Sequence, residues 1–130
     1  MSDFQTSLSI AASGMEAQAA RLRHVSENIA NVDTPGYHRK TIAFEAVVRD
    51  GEQSGEVRAG KVRLDQSELS RVLDPGNPLA DANGYYEGSN VDLVTEIADA
   101  REAQRSYEAN LRMFEQTRKM AASLLDLLRR

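Results

Sequence analysis

Cysteine and tryptophan are both absent from this 130-residue chain. Without cysteine there is no disulfide, no thiolate metal site and no Cys nucleophile, and the redox compartment stays open. Aromatic residues reach only 5%, which argues against one large packed core, because aromatic side chains dominate core energetics. No apolar run approaches the ~20 residues that a membrane span requires. Residues 1–20 lack a basic start and an uninterrupted apolar stretch, so no cleavable secretory signal is expected. An excess of positive charge is missing too, since 16 Lys and Arg stand against 20 Asp and Glu for a formal net charge of −4. Nucleic acid and anionic membrane surfaces both call for basic patches, so neither partner is expected.

What the chain does contain is 41% hydrophobic residues, close to the globular norm, in a length suited to one small domain. Over residues 3–31 the apolar positions recur in steps of four and three: Phe4, Leu8, Ala11, Met15, Leu22, Val25, Ile29 and Val32, broken only by Gln18. That is the heptad seam of a coiled coil, and it predicts a long first helix with Ser2 and Gln5 as a capping box. Asp3 and Glu16 are the only charged residues among the first twenty. Small uncharged side chains suit a helix with close neighbours on several sides, whereas a lone exposed helix carries charge pairs. The helix should end near Asn31, with that residue in the left-handed C-terminal position. Thr34 is pushed out of helical geometry by Pro35, and Pro35-Gly36 fits the centre of a type II turn.

Residues 37–88 hold seven of the eight glycines and all three prolines. Strands are expected at 41–48 and 61–64, joined by a polar, turn-rich connection at 50–56. Further turn clusters lie at 74–78 and 81–85. A second long helix is expected over 90–128, with a capping signature at Ser89-Asn90-Val91-Asp92 and acidic residues on its first turns. Its heptad register reads Leu93, Ile97, Ala100, Gln104, Tyr107, Leu111, Phe114, Arg118, Ala121, Leu125 and Leu128. A second stripe of Met113, Met120, Leu124 and Leu127 lies on an adjoining face. The expected fold is mainly α, with two long terminal helices forming a coiled coil, joined by a small β-hairpin or extended insert. The corresponding parts are 1–36, 37–88 and 89–130.

Two helices folded back as a hairpin cannot cover the second stripe. Chains of this size bury only about two thirds of their surface even when globular. Part of the apolar surface is therefore expected to meet other copies or partners, and head-to-tail contacts of that kind generate filaments when the rotation does not close.

At this point particular residues become telling. Ala30-Asn31-Val32-Asp33-Thr34-Pro35-Gly36-Tyr37, after Ala12-Ser13-Gly14-Met15 and Glu27-Asn28-Ile29, resembles the N-terminal signature of flagellar rod and hook proteins. Ser106-Tyr107-Glu108-Ala109-Asn110 resembles their C-terminal signature, and Asp74 to Tyr85 leading into Asn90-Val91-Asp92 is similar to the proximal rod members. The resemblance implies a structural subunit of the periplasmic basal-body rod that stacks with its own copies and other rod proteins. It also implies a helical tube that transmits torque, and export by the flagellar type III apparatus without a cleavable signal peptide. No cofactor is implied.

On this reading the interface candidates are Leu8, Met15, Leu22 and Ile29 on the first helix. Tyr107, Asn110, Met113, Met120, Leu124 and Leu127 are those on the second, and Pro35 and Gly36 form the turn. Asn28 and Asn31 are further candidates for hydrogen bonds across an interface. No metal site is expected, because His38 is flanked by Arg39 and Lys40 and His24 has no ligand partner at i+4. Carboxylates of the second helix interleave with Arg101, Arg105, Arg112 and Arg118, as solvated ion pairs do, and no catalytic constellation is present. The alternatives are a generic coiled-coil dimeric adaptor and a small cell-wall hydrolase. The adaptor requires flanking charges along both helices, which residues 1–20 lack. The hydrolase requires an acid/base pair converging in a pocket.

Overall fold

The computed structural model describes residues 2–130, with the Ser2 side chain outside that set, so the expected Ser2–Gln5 cap lies outside the described side chains. In chain order the elements are α1 (Ser2–Ala30), β1 (Lys40–Arg49), β2 (Glu52–Leu64), β3 (Arg71–Leu73), β4 (Tyr85–Glu87) and α2 (Leu93–Arg129). Two long antiparallel terminal helices therefore pack together, with a β-hairpin insert between them in sequence.

α1 stops where its carbonyls find local donors. Asn31 does not adopt the expected left-handed conformation, since Asp50 is the only non-glycine described residue with positive φ. Instead the Asn31 backbone N–H donates to the Glu27 and Asn28 carbonyls, and its side-chain Nδ2 reaches the Glu27 carbonyl at 2.8 Å. A short amide side chain thus satisfies an end carbonyl without a strained backbone. The turn that follows is as expected: Gly36 has φ +74°, and the Tyr37 N–H donates to the Thr34 carbonyl at 3.2 Å.

The hairpin is longer than its sequence suggests. Asp50 (φ +52°) and Gly51 (φ +82°) form a two-residue turn, and both central residues of a type I′ turn require positive φ. Residues 52–56, expected to belong to a loop, are instead the start of β2. β2 has 13 residues against 10 in β1. The surplus sits in two irregularities, between the Ile42↔Val62 and Phe44↔Ala59 pairs and between Ala46↔Val57 and Val48↔Gln53. Gly60 and Gly55 fall in these stretches, so Gly55, which read as part of a turn, marks with Gly60 the bulges of a continuous strand. β3 and β4, which the sequence pattern did not suggest, pair antiparallel at the base of the 74–84 loop. The Arg71 guanidinium lies 4.7 Å from the Tyr85 ring centroid.

Asp92 caps α2 from an extended conformation, and its carboxylate accepts the Val94 N–H at 3.1 Å. The hairpin rests on α1. The Ser13 hydroxyl accepts the Val57 N–H at 3.1 Å, and a Cβ at Gly55 would lie 2.9 Å from Ile10 Cδ1. Among the described residues the buried apolar ones are Ala11, Ala17, Val25 and Ala103. These are small, and small side chains let backbones approach closely while contributing little to register.

Candidate assembly surface

Two contacts define how the helices meet. A Cβ at Gly14 would lie 2.7 Å from Asn110 Nδ2, so Asn110 sits directly over the bare backbone of α1. Fourteen residues further on in α1 and fourteen earlier in α2, Asn28 Nδ2 donates to Glu96 Oε2 at 3.2 Å. Both pairs belong to one antiparallel register. Phe4 follows it, sharing a groove with Met120, Leu124 and Leu127. α2 then continues about two turns past the level of the first described residue of α1.

The face that α2 turns toward α1 carries Glu96, Ala100, Ala103, Tyr107, Asn110, Phe114, Thr117 and Ala121, all buried or half-buried. The sequence register shared the Ala100, Tyr107, Phe114 and Ala121 line. Its other line is displaced by one residue: Ile97 is 47% and Leu111 37% exposed, and Gln104 and Arg118 are exposed. In their places Glu96 and Ala103 have no exposure at all. A carboxylate thus occupies the seam while the more apolar line faces out.

Glu96 tolerates burial because it is saturated with partners. Arg39 Nε donates to Glu96 Oε1 at 2.6 Å, and Asn28 holds the other oxygen. Asn28, also fully buried, donates to the Lys40 carbonyl at 2.9 Å. Its Oδ1 accepts both the Lys40 N–H and the Tyr37 hydroxyl at 2.8 Å. Arg39 reaches Asp65 and Asp99 at 3.4 Å. Its backbone N–H donates to Asn90 Oδ1 at 2.7 Å, while Asn90 Nδ2 donates to the Asp65 carbonyl at 2.9 Å. Burial opposes the Arg39 charge, but hydrogen bonds and attraction from Glu96 and then Asp65 outweigh it and raise its pKa. The Asp65 carboxyl is held below its ordinary value, first by the Ser67 backbone N–H and hydroxyl and then by Arg39. One connected cluster therefore ties the end of α1, the root of the hairpin, the 65–67 segment and the start of α2.

The sequence-derived candidates divide by position. Leu8, Met15 and Leu22 are half-buried along α1, while Ile29 lies on the exposed side of its buried neighbour Asn28. Tyr107 and Asn110 lie half-buried on the inward face of α2. Met113, Met120, Leu124 and Leu127 are exposed, and so are Pro35 and Gly36 at their turn. Sequence reasoning passed over Glu96 and Arg39 as seam partners, gave Asn90 only a capping role, and placed Ile97, Leu111 and Leu128 in the seam rather than on the exposed side. The available signal was the seven-residue spacing of Glu96, Ala103, Asn110 and Thr117, a line too polar and small to be chosen on hydrophobicity.

Among the described residues no helix is long and apolar enough to cross a membrane, and no group of three or more His, Asp and Glu side chains is placed to hold a metal. Residues 8–38 match the family model for the flagella basal body rod protein, and residues 82–127 match that for the C-terminal region of the flagellar basal body rod FlgEFG proteins. The chain is 46% identical over 127 residues to the flagellar basal-body rod protein FlgC of Agrobacterium fabrum, covering 92% of this chain and 91% of that protein. Identity to the FlgC of Salmonella typhimurium is 36% over 124 residues, covering 91% and 92% of the two chains. For that of Bacillus subtilis it is 32% over 143 residues, covering 93% and 95%. The chain belongs to the FlgC family of flagellar basal-body rod proteins. As a FlgC protein it is a structural rod subunit rather than an enzyme, and it assembles with other rod subunits. The two matched regions correspond to α1 with its turn and to β4 with α2. The β1–β2 hairpin lies between them, outside both matches.

Proposed function

We propose that this FlgC chain polymerises through its terminal helices into the helical, torque-transmitting tube of the proximal rod, with the exposed apolar face of α2 meeting its own copies and neighbouring rod proteins. The observation that carries this reading is the end of α2. Leu124, Leu125, Leu127 and Leu128 are 39%, 44%, 66% and 73% exposed where α2 runs beyond α1. Large exposed apolar residues clustered on one element mark an interaction surface. Met113 (63%) and Met120 (55%) extend it along the helix, and methionine adapts to partners of differing shape. Within the assembly, torque passes through many shared apolar contacts rather than through a single joint. Delivery to the periplasmic rod is by the flagellar type III export apparatus, as an unfolded chain. The organisation into 1–36, 37–88 and 89–130 accompanies this proposal, with the terminal parts building the tube and the middle part decorating it.

Removal of residues 120–130 tests the reading. The truncated protein is expected to remain soluble with its hairpin intact, by amide exchange or NMR, and to be absent from rods when supplied in place of the full chain. Incorporation of the truncated protein into rods would refute the proposal.

A further inference from the structure

We infer that the Asn28–Arg39–Glu96 cluster selects which face of α2 packs on α1, and so keeps the line Ile97, Leu111 and Leu125 turned outward. α2 carries two possible seams that share one line of residues, so they differ by a rotation of roughly 50° about the helix axis, half of the ~100° step between adjacent residues. Both use Ala100, Tyr107, Phe114 and Ala121. One adds Glu96, Ala103, Asn110 and Thr117, and the other adds Ile97, Gln104, Leu111 and Arg118. Burial of apolar area by itself favours the second seam, because Ile97 and Leu111 outweigh Ala103 and Thr117. The protein nevertheless packs the first.

The polar residues oppose that apolar preference. Asp65 at 3.4 Å and, through the backbone N–H, Asn90 at 2.7 Å hold Arg39 independently of α2, while Glu96 and Asp99 are its partners on α2. From there it reaches Glu96 Oε1 at 2.6 Å. A rotation that brought Ile97 inward would take Glu96 away from both Arg39 and Asn28, leaving the buried amide and the half-buried guanidinium each one acceptor short. A second point agrees with this geometry. Asn110 fits only because Gly14 offers no Cβ, and the alternative rotation would move it away and bring the Tyr107 and Phe114 line over that backbone instead. Buried ion pairs add little net stability, and their best-attested use is to specify register. The small residues of the seam, Ala11, Ala17 and Ala103, specify it weakly. Where the outward line serves other copies, which rests on the proposed assembly, the cluster keeps Ile97, Leu111 and Leu125 available in addition to the Met113, Met120 and Leu127 stripe.

The cysteine-free sequence permits a direct test at adjacent positions. Single probes Ala103→Cys (inward, 0% exposed) and Gln104→Cys (outward) are introduced into the full-length parent and into an Arg39→Met/Glu96→Ala background, which adds no large apolar side chain to the existing seam, and thiol modification rates are measured. The parent should react quickly at 104 and slowly at 103. In the apolar background the order should reverse, each rate moving by roughly tenfold or more with helicity retained. Unchanged rates would overturn the inference. So would acceleration at both positions, since α2 would then be detaching rather than turning. Glu96→Gln, which keeps the acceptor oxygen, should preserve the parental order. A reversal of rates in a protein whose parent does not polymerise would uphold the face selection and refute the assembly reading.

Discussion

The paired substitution Leu127→Ala/Leu128→Ala separates assembly from folding, because the two side chains are 66% and 73% exposed in the free subunit. Together they leave the equivalent of about one and a half leucine side chains in water, at ~1.5–3 kcal/mol for full burial of each. If neighbours cover them, the substitution removes about 2–4 kcal/mol of association free energy, or roughly 30-fold to 1,000-fold in the concentration at which polymer forms. The fold should hardly notice. Neither side chain packs in the helix seam, and alanine is the better helix former, so the thermal midpoint should correspond to a change within ~0.5 kcal/mol. The assay is sedimentation across a concentration series, with the protein alone and with other rod subunits, alongside circular dichroism melts of the soluble fraction. An assembly threshold within about threefold of the parent would refute the claim that the overhanging leucines drive polymerisation.

Other consequences concern the buried cluster. Glu96→Ala leaves Arg39 only Asp65 and Asp99, each at 3.4 Å, and deprives Asn28 of an acceptor. Breaking a buried pair costs ~3–5 kcal/mol, and the remaining carboxylates place this case near the lower end, a loss of roughly 10 °C in melting temperature. Arg39→Met/Glu96→Leu should melt within about 1 kcal/mol of the parent, and equal losses in single and double variants would contradict the account. Acid should weaken the fold in a defined sense. Lys40 holds Glu27 low by hydrogen bonding, Ser67 and Arg39 hold Asp65 low, and the Tyr85 and Asn83 backbone N–H groups hold Asp81 low. Groups with depressed folded pKa values stabilise fully above the ordinary carboxylate value of about 4 and lose that contribution as pH falls below it. Melting temperature should therefore decline below about pH 4. A profile flat from neutrality to pH 3 would contradict these assignments.

The sequence by itself determined the two long helices, the strand near Val47, the Pro35-Gly36 turn and the Asp92 cap, because each rests on residues within a few positions of one another. The same local rules overextended the first hairpin turn. Gly55 and Gly60 look alike as turn residues and as bulge residues until a partner strand is in place. They also overlooked β3 and β4, whose three-residue strands have too few positions to show a period. The apolar excess of α2 was legible, and with it the expectation of assembly. The stripe of Met113, Met120, Leu124 and Leu127 is exposed as expected from the sequence, but that the Ile97 and Leu111 line would stay outside as well was not legible. Hydrophobic periodicity selects the Ile97 and Leu111 line, one residue away from the seam that forms. Tertiary structure decided otherwise through Arg39, 57 positions from Glu96 and delivered to it by the turn after α1. A charge from a distant segment outweighs a local apolar preference because an unpaired buried ion costs more than one exposed isoleucine gains by burial.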